Sequence, residues 1–172
     1  MSQQTQNLMK KISLAKVVLN MGVGKSGEPI EIGKKTLTQI TGKKPNARNA
    51  KKSLRDWGVR KGEPIGVAVT VRGNDATELL KKLLVVKDNQ IAEKAFDNEG
   101  NLSFGIKEHI DIPGIKYDPR IGILGLEVSI SLARPGFNIK FNKSKAKVGK
   151  NHRITKNDAI KFLTEEFEVK VV

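Results

Sequence analysis

The sequence contains no cysteine, which excludes disulfides, thiolate metal sites and a cysteine nucleophile. Zero cysteines also fits a reducing cytosol. Aromatic residues make up 5% of the chain, with one tryptophan and one tyrosine. Its two histidines, His109 and His152, have no partner at HxxxH or HExxH metal spacing. His109 is expected on the surface of a strand and His152 in a basic loop. A GxSxG nucleophile elbow is absent, and most carboxylates fall in helices and turns, where capping and solubility account for them. These absences argue against an enzyme, a metal site or a cofactor. No apolar run approaches the roughly 18 residues of a membrane span, and the opening MSQQTQNLMKK lacks the apolar stretch of a secretory signal.

What is present is positive charge, unevenly placed. The chain has 172 residues, long enough for one domain with a proper core and short for two, and a net charge of +14. Residues 43 to 61 hold eight Lys and Arg against one acid, Asp56, and residues 134 to 156 hold eight and no acid. The rest of the chain is close to neutral. Two focused basic segments on a balanced domain have the composition of a phosphate-backbone binder, whereas a floppy tail would be terminal and unflanked. Trp57 stands inside the first segment among Arg55, Asp56, Gly58 and Arg60, so base stacking competes there with burial as a core anchor.

Hydrophobic periodicity places the segments on a fold. Val17, Leu19 and Met21 alternate with Lys16, Val18 and Asn20 in a first strand, and Ile65, Val67, Val69 and Val71 alternate with Gly66, Ala68, Thr70 and Arg72 in the clearest strand of the chain. Two further strands are expected over 102–110 and 124–132. Gly24, Lys25 and Ser26 imitate the end of a phosphate-cradling loop, but Leu19 stands where that loop needs glycine, and Gly27 and Pro29 delay the helix, so a flexible connection is expected. Pro29 to Ile40 reads as a helix ended by Gly42. Asp75 and Glu78 suggest a capping box for a second helix with an Ala76, Leu79, Leu80, Leu83 and Leu84 stripe, and Thr155 with Asp158 caps a last one. A short helical turn is expected between 84 and 94. The basic segment after Arg134 shows no sustained period and reads as a long functional loop that orders on its partner. One apolar face per strand and one stripe per helix give an α+β fold, a two-layer sandwich of a mainly antiparallel sheet with helices packed on one face. The second sheet face, with Asn20, Gly66, Ala68, Thr70, Ser129 and Ser131, is left small, polar and open to a nucleic-acid backbone.

Several ordered motifs carry a resemblance: LNMGVG at 19–24, TGKKP at 41–45, KSLRDWGVRKGEPIG at 52–66 and TVRG at 70–73. From about Ser13 to its end the chain resembles the universal fifth protein of the large ribosomal subunit, and ARPGF followed by GKNHRITKNDAIKFL resembles the archaeal and eukaryotic branch. The resemblance implies a non-enzymatic, cytoplasmic protein of the central protuberance. Its implied partners are 5S ribosomal RNA, large-subunit ribosomal RNA, the peptidyl-site transfer RNA, and neighbouring proteins of the protuberance and the small-subunit head. Matched motif by motif, Asn20, Lys43, Trp57, Arg60 and Thr70 fall at 5S-contacting positions. Lys43 stands where the bacterial branch often has glutamine. Lys51, Lys52, Arg55 and Lys61 fall in the loop that approaches transfer RNA, which leaves Trp57 and Arg60 divided between the two RNAs. The second segment supplies the remaining phosphate contacts expected from charge: Arg134, Lys140, Lys143, Lys145, Lys147, Lys150 and Arg153. A free regulatory or chaperone-like factor for nucleic acid, including DNA, is the alternative from another class.

Overall fold

The computed structural model describes residues 7–24, 26–115, 123–142 and 147–172. Lys25, Pro119, Lys143 and Lys145 therefore lie outside the described residues. In chain order the elements are β1 (Ser13–Gly22), α1 (Glu28–Thr41), β2 (Asn46–Asn49), β3 (Pro64–Val71), α2 (Asn74–Val85), β4 (Gln90–Ile91), β5 (Leu102–Ile106), β6 (Leu126–Ala133), the single turn α3 (Ile139–Asn142), α4 (Lys156–Phe167) and β7 (Lys170–Val171). Five strands form one antiparallel sheet in the order β2-β3-β1-β6-β5, and β4 and β7 pair in parallel as a separate ribbon.

Alternation decides which way each central strand faces. Val17, Leu19 and Met21 of β1 are fully buried, and Val67, Val69 and Val71 of β3 are at most 4% exposed. The registers Val17↔Val71, Leu19↔Val69 and Met21↔Val67 place these six side chains on one face. Leu37 of α1, Leu80, Leu83 and Leu84 of α2 and Leu163 of α4 close over that face in the same core. Each fully buried side chain of this size contributes about 1.5–3 kcal/mol of transfer free energy, so the two-layer arrangement holds chiefly through this seam. The expected α+β sandwich is the observed one. Gly42 ends α1 in the left-handed conformation at φ 66°, its N–H bonding the Thr38 carbonyl.

Several local expectations are corrected. The chain at 46–49 forms β2 on the sheet edge; asparagine and arginine have low strand propensity, and pairing with β3 supplies what the local sequence does not. Asp75 and Glu78 do not form a capping box, because α2 starts two residues earlier than that box requires, with Gly73 at its N-cap, and glycine has no side chain to cap with. Asp75 instead lies 2.7 Å from the Lys43 ammonium. β5 stops at Ile106, short of the expected strand. Beyond it His109 is 1% exposed, not on a strand surface. Its backbone N–H donates to the Leu124 carbonyl at 3.0 Å and its ring Nδ1 accepts the Leu124 N–H at 3.3 Å, which gives one ring nitrogen a partner in an apolar setting. After α2 the chain makes a tight turn, then β4 and a 3-10 turn over Glu93–Ala95, where a second helical turn is expected. Residues 139–142 are helical, although Phe137, Ile139 and Phe141 suggest an extended segment.

The turn Asp97 to Asn101 packs on the approach to α4. Gly100 has φ 75°, and a Cβ added there would stand 2.4 Å from Ile154 Cγ2. Ile154 is 2% exposed and cannot retreat into solvent. Gly100→Ala combines left-handed backbone strain with overpacking, and is expected to lower the unfolding free energy by about 2–4 kcal/mol. Urea denaturation checks this; a midpoint equal to that of the parent chain would contradict the packing described.

Candidate nucleic-acid interface

The outer face of the sheet is built from the residues left over by core alternation. Directly opposed residues share a face, so Asn46, Ala68, Asn20 and Glu127 form one row across β2, β3, β1 and β6. Thr70, Val18 and Ser129 form the next row. Arg48, Gly66 and Gly22 form the row on the other side. Thr70, Asn46, Arg48 and Glu127 are exposed, and Asn20, Val18, Ser129 and Ser131 are half-buried. Gly66 and Ala68, expected to be open, are buried between neighbouring strands. A Cβ on Gly66 would come 3.0 Å from the Met21 carbonyl oxygen, so the face stays low there because the backbones lie close. The structure thus brings Asn20 and Thr70 together and adds Asn46 and Arg48, for which composition indicates only membership of the first basic segment. Their only advance signal was the polar-Ala-polar alternation of Asn46, Ala47 and Arg48.

The first basic segment is a folded hairpin that prolongs β2 and β3. Ala50 N–H donates to the Glu63 carbonyl at 2.8 Å, and Leu54 and Val59 exchange backbone hydrogen bonds of 2.9 and 3.1 Å. Arg55 to Gly58 make the turn at the tip. Even fully extended, the chain from Asn49 to Leu54 carries the base of this turn at most roughly 17 Å past the end of β2. Trp57 is 77% exposed at the tip, which removes the core-anchor reading. Lys51, Lys52, Arg55, Arg60 and Lys61 are all exposed, and none takes part in an ion pair among the described residues.

Glu63 fixes the base of the hairpin. Its carboxylate accepts the Ser26 hydroxyl and the Arg60 N–H, the latter at 3.0 Å, and these bonds hold it below the ordinary carboxylate value. The stretch that imitates a phosphate loop therefore steadies the hairpin through Ser26. Lys43 sits at the opposite end of the sheet. The chain leading into β2 runs past the Ala68 end of β3, where Lys43 pairs with Asp75 and lowers that carboxyl through a hydrogen bond and its charge. The five expected 5S-contacting residues thus divide, with Asn20 and Thr70 on the face, Lys43 at one end of the sheet against Asp75 of α2, and Trp57 and Arg60 on the hairpin beyond the other end.

In the second basic segment the structure separates internal from external cations. The Arg134 side chain is 11% exposed; its guanidinium lies 3.2 Å from the Asp158 carboxylate and donates to the Arg153 carbonyl at 3.1 Å. Arg134 is a clamp between the end of β6 and the start of α4, and this engagement argues against its expected phosphate contact. Lys147, Lys150 and Arg153 are exposed. Lys140 is exposed too, 3.3 Å from Glu99. His152 Nε2 donates to the Pro135 carbonyl, 2.8 Å away, and its ring packs edge-on to Phe137, so the described parts of this segment fold onto one another. Among the described residues no cluster of His, Asp or Glu is placed to hold a metal ion, and no helix is long and apolar enough to cross a membrane.

A cationic α+β sandwich with one open sheet face and a projecting basic hairpin is the class of protein this geometry defines. Residues 7–60 match the model of the family described as ribosomal protein L5, and residues 64–162 match the model of that ribosomal family's C-terminus. The large ribosomal subunit protein uL5 of Nitrosopumilus maritimus is 64% identical over 172 residues, covering 99% of both chains. That of Cenarchaeum symbiosum is 58% identical over 95% of this chain and 98% of its own, and that of Sulfolobus acidocaldarius 45% identical over 97% and 94%. The chain belongs to the ribosomal protein L5 family, and is a structural protein of the cytoplasmic ribosome, not an enzyme.

The clamp at α4 has a pH signature. Thr155 and Asp158 form the expected capping box, with Thr155 N–H to the Asp158 carboxylate at 3.2 Å and Asp158 N–H to the Thr155 hydroxyl at 3.3 Å. Partial burial raises the Asp158 carboxyl, but the Thr155 hydrogen bonds and the charges of Arg134 and Lys161 together outweigh it and leave the net shift downward. A depressed folded value means that this carboxylate contributes stability above its unfolded value of 3.8 and loses it as pH falls through the folded value. Asp158→Asn is expected to lose about 1 kcal/mol near pH 7, the usual worth of a cap, and progressively less below pH ~4. Denaturation at both pH values checks the sign; an equal loss at both would contradict it.

Proposed function

We propose that the chain is a component of the large ribosomal subunit, the subunit named for its relatives, where it works as one domain and binds 5S ribosomal RNA on the outer face of its sheet. The observation that carries this reading is the face itself. Asn20, Thr70 and Asn46 offer amide and hydroxyl groups beside the flat Gly22–Gly66 region, where a ribose or phosphate can approach the backbone closely. Arg48 and Lys43 lie at its two ends and supply charge. Selection of the site comes from RNA shape and 2′-hydroxyl contacts, and affinity comes largely from released counterions.

The hairpin has a different task in this reading. Exposed cations and an exposed indole at the end of a stiff ribbon suit a second RNA at some distance from the face, and the resemblance assigns that position to the transfer RNA in the peptidyl site. Trp57 and Arg60 go with the hairpin. Lys140, Lys147, Lys150 and Arg153 serve large-subunit ribosomal RNA, and Arg134 holds their scaffold. Placement in the central protuberance, its protein neighbours and the bridge to the small-subunit head rest on the resemblance alone.

The test measures binding of the full chain to 5S RNA and to an unrelated RNA of equal length across a salt series. Expected are tighter binding to 5S RNA at every salt and a linear fall of log affinity with log salt. Thr70→Ala and Asn20→Ala should each weaken 5S binding about three- to tenfold, the worth of a hydrogen bond, without loss of folding. Trp57→Ala should change it less than twofold. Equal affinity for both RNAs, or unchanged 5S affinity in both face variants, would overturn the assignment.

A further inference from the structure

The second basic segment contains more than a row of cations. A cavity of about 390 Å³ lies where it meets the Asp97–Asn101 turn. Phe137, Val148 and Ile154 give it apolar walls, with the aliphatic floor fixed by Ile154, which is 2% exposed. Phe137 is held in place by its edge-on contact with His152 at 5.6 Å. Lys147 and Arg153 bring positive charge to the same cavity, and Arg153 is steadied by its Nε bond to the Val148 carbonyl at 3.2 Å. Asn98 adds an amide with both donor and acceptor groups. One acid, Glu99, also lines it, and Lys140 neutralises that acid at 3.3 Å.

A helical phosphate backbone needs surface cations and no hole, so phosphate contact alone leaves this cavity unexplained. We propose that it receives the unpaired base of a single extruded ribosomal RNA nucleotide, seated between Phe137, Val148 and Ile154, with Lys147 and Arg153 on its phosphates. The inference rests on the reading that this segment faces ribosomal RNA, and deepens it from phosphate contact to recognition of an unstacked base. The size lies in the range of small-molecule sites, the walls supply stacking and apolar contact, and the charge is complementary to a nucleotide and opposed to a cationic ligand. Asn98 is the group placed to distinguish one base edge from another.

The test uses the full chain, labelled at valine and isoleucine methyl groups, and a short RNA hairpin in three forms: fully paired, with one bulged nucleotide in each of the four base versions, and with an abasic bulge. The bulged hairpin should shift the Val148 and Ile154 methyl resonances in at least one base version, while the abasic and paired forms leave them in place although all three bind. Val148→Asp should weaken the best bulged hairpin about tenfold and the paired hairpin less than twofold. An equal response to the bulged and abasic forms would reduce the site to phosphate contact and overturn the proposal. So would silence of these methyls with all four bases, or shifts produced equally by an acidic peptide. If the pocket fails while Thr70→Ala still weakens 5S binding, the proposed function stands without it.

Discussion

Burial of alternate residues along β1 and β3 is the constraint on which the rest of the molecule depends. Val17, Leu19 and Met21 face Val67, Val69 and Val71 in an almost waterless seam, and a slip of one residue in either strand would expose three of them. The same period of two sends Asn20, Gly66, Ala68 and Thr70 to the other side. The open face is therefore a geometric consequence of the core. A protein stabilised this way can keep a sheet face small and polar, because that face contributes little to its stability.

Charge is organised around this frame by a few internal contacts. Glu63 joins Ser26 to Arg60 and sets the base of the hairpin, while Arg134 joins the end of β6 to the cap of α4. Glu63 stands just past the first basic segment and Arg134 opens the second, and each fixes the backbone from which the exposed cations project. The exposed ion pairs, Lys43 with Asp75 and Lys140 with Glu99, are worth little as stabilising contacts and leave their lysines able to exchange a carboxylate for a phosphate.

The layers, the four long strands and the three main helices were legible because each carries its own period. Three kinds of feature were not. β2 depends on pairing with β3, so asparagine and arginine sit in a strand that their propensities disfavour. Asp75 and Lys43 meet across the fold, and no local pattern distinguishes that pairing from a capping box. His109 is buried and Arg134 half-buried through contacts with distant segments, so both look like surface groups in the sequence. At the site, Asn20 and Thr70 could be read from alternation, whereas Arg48 required the register and Trp57 required the hairpin.

The central claim is that one side of the sheet meets RNA while the helical layer faces away. The absence of cysteine allows a direct measurement, in which Thr70→Cys reports the outer face and Thr38→Cys the exposed side of α1. Thiol alkylation rates are measured for both variants with and without 5S RNA. The account predicts that RNA slows modification at position 70 at least tenfold and changes it less than twofold at position 38. Protection at position 38 with none at position 70 would contradict it.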